Sequence, residues 1–512
     1  MEGYVMTRPT DGLKTGAAKK ERVEMNLHAE FAPVALSYIG ALRGIAPRAI
    51  GEPFAYAVLN CVSLELLVCL AASNPDGRFY GLVTRMVDQA LGEQLAKTRM
   101  VDNVTFLRAT ASDLLAATEK GAPLLPPLHY LCCDERTKPL AAVERAALFA
   151  VAEKILVPEG LFVTGYEAYD SDDGALRFLV RELAPEMDSK QTKEFLGEIK
   201  KLGPLYLGAH PELASWLDHA IAKGDADAFF ATFGEGTVRS RAFDTLVALR
   251  PLGFTYIGDA DIATNYIELS APASAHQLIV ESRDNPLYEV IKDFALNRRM
   301  RCDIWCNKPQ MTGDLGKLFG GFAYGIPRAR IEVPEKIETR DKSIDLTTPL
   351  FAKLIELMTL MPVTLGDFLT HPSGAGATAI DVIGAIQILV ALGIAHPMRG
   401  HAEGIQPDLV SLRMRGDFNQ YLSGAVITEA DVLLASPIAG SAVAVSSREA
   451  LVMQALSRAG LPQSATVLLP ELQRLAGTGD QPGADAAIYM VKDIVSQSLV
   501  RWYAYGFLAS AA

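Results

Sequence analysis

Residues 56–83 limit the folds open to this chain more than any other stretch. Tyr56-Ala-Val-Leu-Asn-Cys-Val62 has the pattern of an apolar strand, and Ser63-Leu-Glu-Leu-Leu-Val-Cys-Leu-Ala-Ala72 that of a helix. Asn74-Pro-Asp-Gly77 is a polar turn, and Arg78-Phe-Tyr-Gly-Leu-Val83 reads as a second strand. Strand, sharp turn, helix, turn and strand make one βαβ unit of a doubly wound sheet. Units that hold a nucleotide-type cofactor carry glycines after the first strand and an acid at the end of the second. Asn60, Val62 and Val83 stand in those places here.

The alternation continues. Arg85–Arg99 has helical spacing, with Met86, Val87, Leu91 and Leu95 among charged residues. Val104–Leu107 is a short strand, and Ser112 starts a capped helical turn. His129–Cys133 is a buried strand, Leu140–Val157 an amphipathic helix, and Leu161–Gly165 a strand after the turn Pro158-Glu-Gly160. Such alternation predicts a parallel sheet covered on both faces. Residues 171–245 are helical and charged. Residues 246–306 are mixed, with a strand at 253–258 and a helix at 285–300. Residues 307–346 form a polar linker. Two helix-rich blocks, 348–398 and 445–510, are joined by 399–444 with its short strand-like pieces.

Composition narrows the functions open to the chain. With 512 residues, half of them hydrophobic, it is a core-rich protein of several domains, and its net charge of −12 argues against a general nucleic-acid binder. The six cysteines include no C-x-x-C pair and suggest reduced thiols in the cytoplasm. His396 and His401 are the one close histidine pair, and no metal site is expected from them. The apolar runs 55–72 and 379–398 are broken by polar residues or glycines, so they read as core elements rather than membrane spans. Gly316–Gly325 lacks the order of a phosphate loop and reads as a linker turn.

Five stretches together resemble bacterial class I S-adenosylmethionine-dependent methyltransferases with a methyltransferase regulatory domain, including the outer-membrane-protein lysine methyltransferases. They are Leu70–Gly81, Val104–Leu107 with Asp113, Ile155–Tyr169, Phe294–Cys302 and Ser436–Val445. The resemblance implies an α/β fold. Residues 1–44 would be an N-terminal segment, and 45–170 a Rossmann-like methyltransferase domain. A regulatory or dimerisation region would follow at 171–306, a linker at 307–346, and helical, winged-helix-like units at 347–512.

The same resemblance implies S-adenosylmethionine as cofactor and places its site on positions that are degenerate here. Asn60, Val62, Leu64 and Glu65 replace the glycine loop. Val83 replaces the ribose-binding acid, and Thr110 or Asp113 stands near the adenine amine. Asp134 and Glu135 end a strand nearby, either replacing a lost contact or lying in a solvated loop. Tyr166 and Tyr169 are the catalytic candidates, weighed against a packing role. Asn297–Arg301 reads as a helix end stabilised by cations, or as a site for an acidic group.

Three readings follow. The first is a non-catalytic regulatory or scaffolding partner, in a homodimer or paired with an active methyltransferase. The second is an active protein (lysine) methyltransferase, and the third a DNA-binding regulator that uses the C-terminal blocks.

Overall fold

The computed structural model describes residues 26–27, 30–136, 138–169, 174–183, 189–223, 240–328, 330–339, 341–371, 376–400, 412–421, 431–459, 494–495 and 498–510. Its centre is a seven-stranded sheet. The strands are β1 (Phe54–Leu59), β2 (Gly77–Val83), β3 (Val104–Arg108), β4 (Leu128–Asp134), β5 (Leu156–Glu167), β6 (Phe254–Asp259) and β7 (Met300–Asn307). They lie side by side in the order β3-β2-β1-β4-β5-β7-β6. β1 to β5 are parallel, and β7 runs antiparallel to both of its neighbours. The order reverses between β1 and β4, and at such a switch point the strand ends leave a crevice.

Alternation along the strands builds the two faces. Tyr56, Phe79, Val83 and Phe106 point into one core with helices α1 (Pro33–Leu42) and α2 (Leu64–Ser73). On that side the helix α3 (Met86–Thr98) presses Gly92 onto the Phe106 ring. Ala55, Ala57, Leu59 and Leu82 point the other way, toward α4 (Ala111–Glu119) and α5 (Ala142–Ile155). α4 starts at a capping box in which the Thr110 hydroxyl accepts from the Asp113 N–H and the Asp113 carboxylate accepts from the Thr110 N–H. The cap is therefore Thr110 rather than Ser112.

The sheet extends past the boundary expected at residue 170. β6 and β7 come from the 171–306 region, which also contributes helices such as Ser189–Leu202 and Tyr288–Leu296. The stretch 307–346 is more ordered than a linker. It forms the helix Leu315–Phe319, the strand Ala323–Gly325 and a hairpin of Lys336–Glu338 with Ser343–Asp345. Phe319, Phe322 and Tyr324 are buried edge-on against Tyr38 of α1, so the aromatic residues of Gly316–Gly325 are core while Gly316, Lys317, Gly320 and Gly321 stay exposed.

The C-terminal region is mixed rather than purely helical. Helices Pro349–Leu360, Leu365–Thr370 and Ala379–Ala391 alternate with strands Val363–Thr364 and His396–Met398, both paired to Ala323–Gly325. A hairpin, Asp431–Ser436 with Ser441–Ser446, leads into helix Ser447–Ala459 and rests on α2. Polar contacts at the end of α2 fix that seat. The Ser73 hydroxyl donates to the Ser441 carbonyl at 3.0 Å, Asn74 donates to the Gly440 carbonyl at 3.1 Å, and Arg399 pairs with Asp76 at 2.8 Å. His401 lies outside the described residues.

Gly81 on β2 tests how tightly this core is built, because a Cβ there would sit 2.6 Å from the Phe106 ring and 2.8 Å from Leu67. Overpacking of this kind costs about 1–3 kcal/mol, more than the ~0.5–1 kcal/mol gained by removing a glycine from a strand. Urea titration of Gly81→Ala is expected to show a lower midpoint at unchanged slope.

Candidate functional site

The crevice between the carboxyl ends of β1 and β4 is crossed by the chain itself. β1 ends at Asn60, whose φ of 58° is the left-handed conformation that glycine adopts without strain. Asn60 then uses its side-chain amide, donating to the Lys138 carbonyl at 2.8 Å. Lys138 lies on the segment after β4, and its ammonium donates to the Thr84 hydroxyl, just past β2, at 3.2 Å. The segment after β4 thus forms a strap over the end of β1, tied to the residues that follow β1 and β2.

Charged groups hold the root of the strap. The Glu135 N–H donates to the Gly165 carbonyl of β5 at 2.7 Å, and its buried carboxylate accepts from Arg145 and from the Leu140 N–H at 3.1 Å. Arg136 reaches Asp134 at 2.8 Å and Glu30, ahead of α1, at 2.5 Å. Gly165 makes room for this clamp, since a Cβ there would stand 2.6 Å from the Asp134 carboxylate. Asp134 and Glu135 are therefore engaged in ion pairs rather than solvated.

The remaining positions flank the strap. Val83 closes β2 with its side chain buried, while Val62 is 53% exposed. Glu65 at the start of α2 pairs with Arg99 at 3.0 Å, and Leu64 beside it packs on the core. Thr110 and Asp113 are joined in the capping box, where one Asp113 oxygen takes both the Thr110 N–H at 2.9 Å and its hydroxyl at 3.0 Å. Asn60, Val83 and Asp134 thus come to one crevice, with Thr110 and Asp113 beside it. Sequence reasoning passed over the strap anchors Lys138, Thr84, Arg136, Glu30 and Gly165. The readable signal was the cluster of charges at the end of β4, Asp134, Glu135, Arg136 and Lys138. Among the described residues, no group of three His, Cys, Asp or Glu side chains is placed to hold a metal ion.

Tyr166 and Tyr169 are buried on the carboxyl side of β5. Tyr166 donates to Asp303, and Tyr169 to the Val290 carbonyl at 3.3 Å. Burial pushes both phenols well above their ordinary range. They belong to a buried charge network centred on Arg301. Its guanidinium reaches Asp293 at 2.6 Å, Asp303 at 2.8 Å, Glu289 at 3.0 Å and the Tyr256 hydroxyl at 3.1 Å. Lys292 pairs with Glu289 at 2.9 Å, and Arg298 with Asp259 at 2.5 Å. The arginines of 297–301 expected at a helix end therefore serve mainly to neutralise buried carboxylates. Asn297, left-handed at φ 51°, ends the helix ahead of them.

Burial and neighbouring charge move the acids of this network in opposite directions. Burial raises Asp303 from 3.8 to about 6 against the pull of Arg301. Burial also opposes ionisation of Glu289, yet Lys292 and Arg301 hold it down to about 2. For Asp303 the folded state keeps a proton that the unfolded chain has already lost, so stability falls as pH rises from about 4 to about 6. Glu289 acts in the opposite direction below about pH 4.5. Asp303→Asn mimics the protonated acid and is expected to remove up to about 3 kcal/mol of that decline. Urea midpoints measured at intervals between pH 4 and 6 check this, and a variant with the wild-type slope would refute it.

Comparison with known proteins agrees with this geometry. A family model described as a predicted methyltransferase regulatory domain matches residues 242–307, the span that supplies β6, β7 and the Arg301 network. An uncharacterized protein of Synechocystis sp. is 24% identical over 211 residues, which cover 40% of each chain. This chain therefore spans well under two thirds of that relative. The solved structure of PKMT2 from Rickettsia typhi is 14% identical, with a TM-score of 0.64 over 94% of this chain and 99% of that one. The same protein in complex with AdoHcy matches equally well. No helix among the described residues is long and apolar enough to cross a membrane. The chain has the fold of an S-adenosylmethionine-dependent methyltransferase, and its residues 242–307 match a predicted methyltransferase regulatory domain.

Proposed function

We propose that this protein is a non-catalytic member of the methyltransferase group, a regulatory or scaffolding partner of an active enzyme. The carrying observation is the strap over the switch-point crevice, tied to Asn60 and Thr84. Three independent features oppose the cofactor there. Asn60 places a side chain, hydrogen-bonded to the Lys138 carbonyl, where the family's loop has glycine. Val83 offers no acceptor to a ribose hydroxyl. The Asp113 oxygen that caps α4 already accepts two hydrogen bonds.

Magnitudes favour loss of binding over mere weakening. A hydrogen bond to a charged group contributes about 1.5–3 kcal/mol, so losing a bidentate acid costs roughly 10²–10⁴-fold in affinity. Displacing the strap adds to that. No transfer step is derived for these residues, because they do not fit the group that would donate the methyl.

The competing reading is an active protein methyltransferase, favoured by the likeness to PKMT2, a structure of which contains AdoHcy. Calorimetry of the purified protein separates the two. Titration with S-adenosylmethionine and with S-adenosylhomocysteine is expected to release no heat attributable to binding, whereas a micromolar Kd for either ligand would sink the degraded-pocket reading. The partner role is read by light scattering with an intact-crevice relative from the same genome. A stable complex at micromolar concentration is expected, and its absence removes that role.

A further inference from the structure

We propose that His129 and the loop 48–53 form a pH-gated latch at the amino edge of the sheet. It is closed while the imidazole is neutral and opens when the ring takes up a proton. The loop joins α1 to β1, on the opposite edge from the strap and the crevice. The paired register of β1 and β4 begins at Tyr56 and Tyr130. One residue earlier a side chain makes the rung, because the Ala55 N–H donates to Nδ1 of His129 at 3.1 Å. Ala55 is buried, so its amide needs that acceptor. Nδ1 accepts only while it carries no proton, which places the neutral ring's N–H at Nε2. Protonation turns the acceptor into a donor facing a donor, and the rung is lost.

The latch reaches beyond that rung. Arg48 donates to the Pro53 carbonyl at 3.0 Å and pairs with Glu52 at 3.3 Å, which closes the loop on itself. The Gly51 N–H donates to one oxygen of Asp76 at 3.2 Å, and the other oxygen meets Arg399 at 2.8 Å. The loop thus runs from the His129 rung to the carboxylate that seats the C-terminal region.

The surroundings of the ring set the direction. Burial, then Arg48, hold the imidazole below its ordinary value of 6.5, with Glu52 opposing. Tyr130, the next residue of β4, feels Arg48 and Asp76 and is bonded to Ser37 at 2.8 Å. The unfolded chain therefore takes up the proton first. The latch contributes fully above about pH 6.5 and is lost as pH falls below that. His129 is half-buried, so solvent protons reach it. The sign is opposite to that of Asp303, which strengthens the fold as pH falls below about 6.

Hydrogen exchange of the full chain, followed by mass spectrometry and expressed as protection factors, tests the latch at about pH 7.5 and about pH 5.5. Protection of 48–56 is expected to fall about threefold to tenfold on acidification, the effect of one hydrogen bond. Residues 161–165 of β5 should keep theirs. His129→Asn retains an acceptor near Nδ1 that does not titrate, and should protect 48–56 equally at both pH values. His129→Phe retains a ring without an acceptor, and should leave 48–56 as open to exchange at the higher pH as at the lower.

Wild-type protection of 48–56 that is indifferent to pH overturns the proposal. An equal fall in His129→Asn does so too, since another group would then be titrating. A matching fall at 161–165 would be loosening of the whole fold and sinks the latch as well, as does full protection of His129→Phe at the higher pH. The wild-type comparison needs no substitution, so it decides the matter even where a variant fails to fold.

Discussion

Arg301 is the interaction on which the sheet's reversed end depends. β7 is antiparallel to β5 and β6 and brings a guanidinium that is 1% exposed between three carboxylates and a phenol. Coulomb attraction in a buried site is strong, but so is the cost of removing each charge from water. The balance holds because Asp303, Asp293, Glu289 and Tyr256 share one cation, with Lys292 and Arg298 supplying the rest. A hydrophobic core could fill the same space. It would not tie the Tyr288–Leu296 helix and β6 to Arg301, and Tyr166 of β5 to Asp303 beside it. Those ties fix the Tyr288–Leu296 helix and β6 onto the parallel part of the sheet.

The network and the crevice occupy the same edge of the sheet, because β7 begins where β5 ends. Tyr166 faces Arg301 in register, and Gly165, one residue earlier, faces Cys302. Gly165 also provides the space for Arg136 and Asp134 at the root of the strap. Two adjacent residues of β5 therefore serve two structures, one seating the buried charges and the other seating the clamp.

Much of this was legible in the residues, for a physical reason. β1, β2 and β4 are largely apolar and mostly buried, and the helices between the strands carry clear 3.6-residue periodicity, so the doubly wound half could be read directly. β7 could not. Its Arg301 and Asp303 break the apolar pattern, and 297–301 resembled the solvated end of a helix until the facing carboxylates were placed. The same limit applied to the linker, where Lys, Arg, Gly and Pro dominate while Phe319, Phe322 and Tyr324 do the packing. Asn60 and Val83 were picked out by spacing alone. The partner of the Asn60 amide lies 78 positions away, at Lys138, which in turn reaches Thr84, and no local pattern points to either.

Asn60 shows how one residue can meet a backbone and a side-chain demand at once. The backbone there keeps the left-handed turn that a glycine would supply, so the path of β1 into α2 is retained. Asparagine tolerates this conformation better than most residues with a side chain. The amide that comes with the change takes the room a glycine would leave, and it donates to the strap that crosses the crevice. The position calls for a residue able to hold a glycine's dihedral angles while offering a donor, and asparagine meets both conditions.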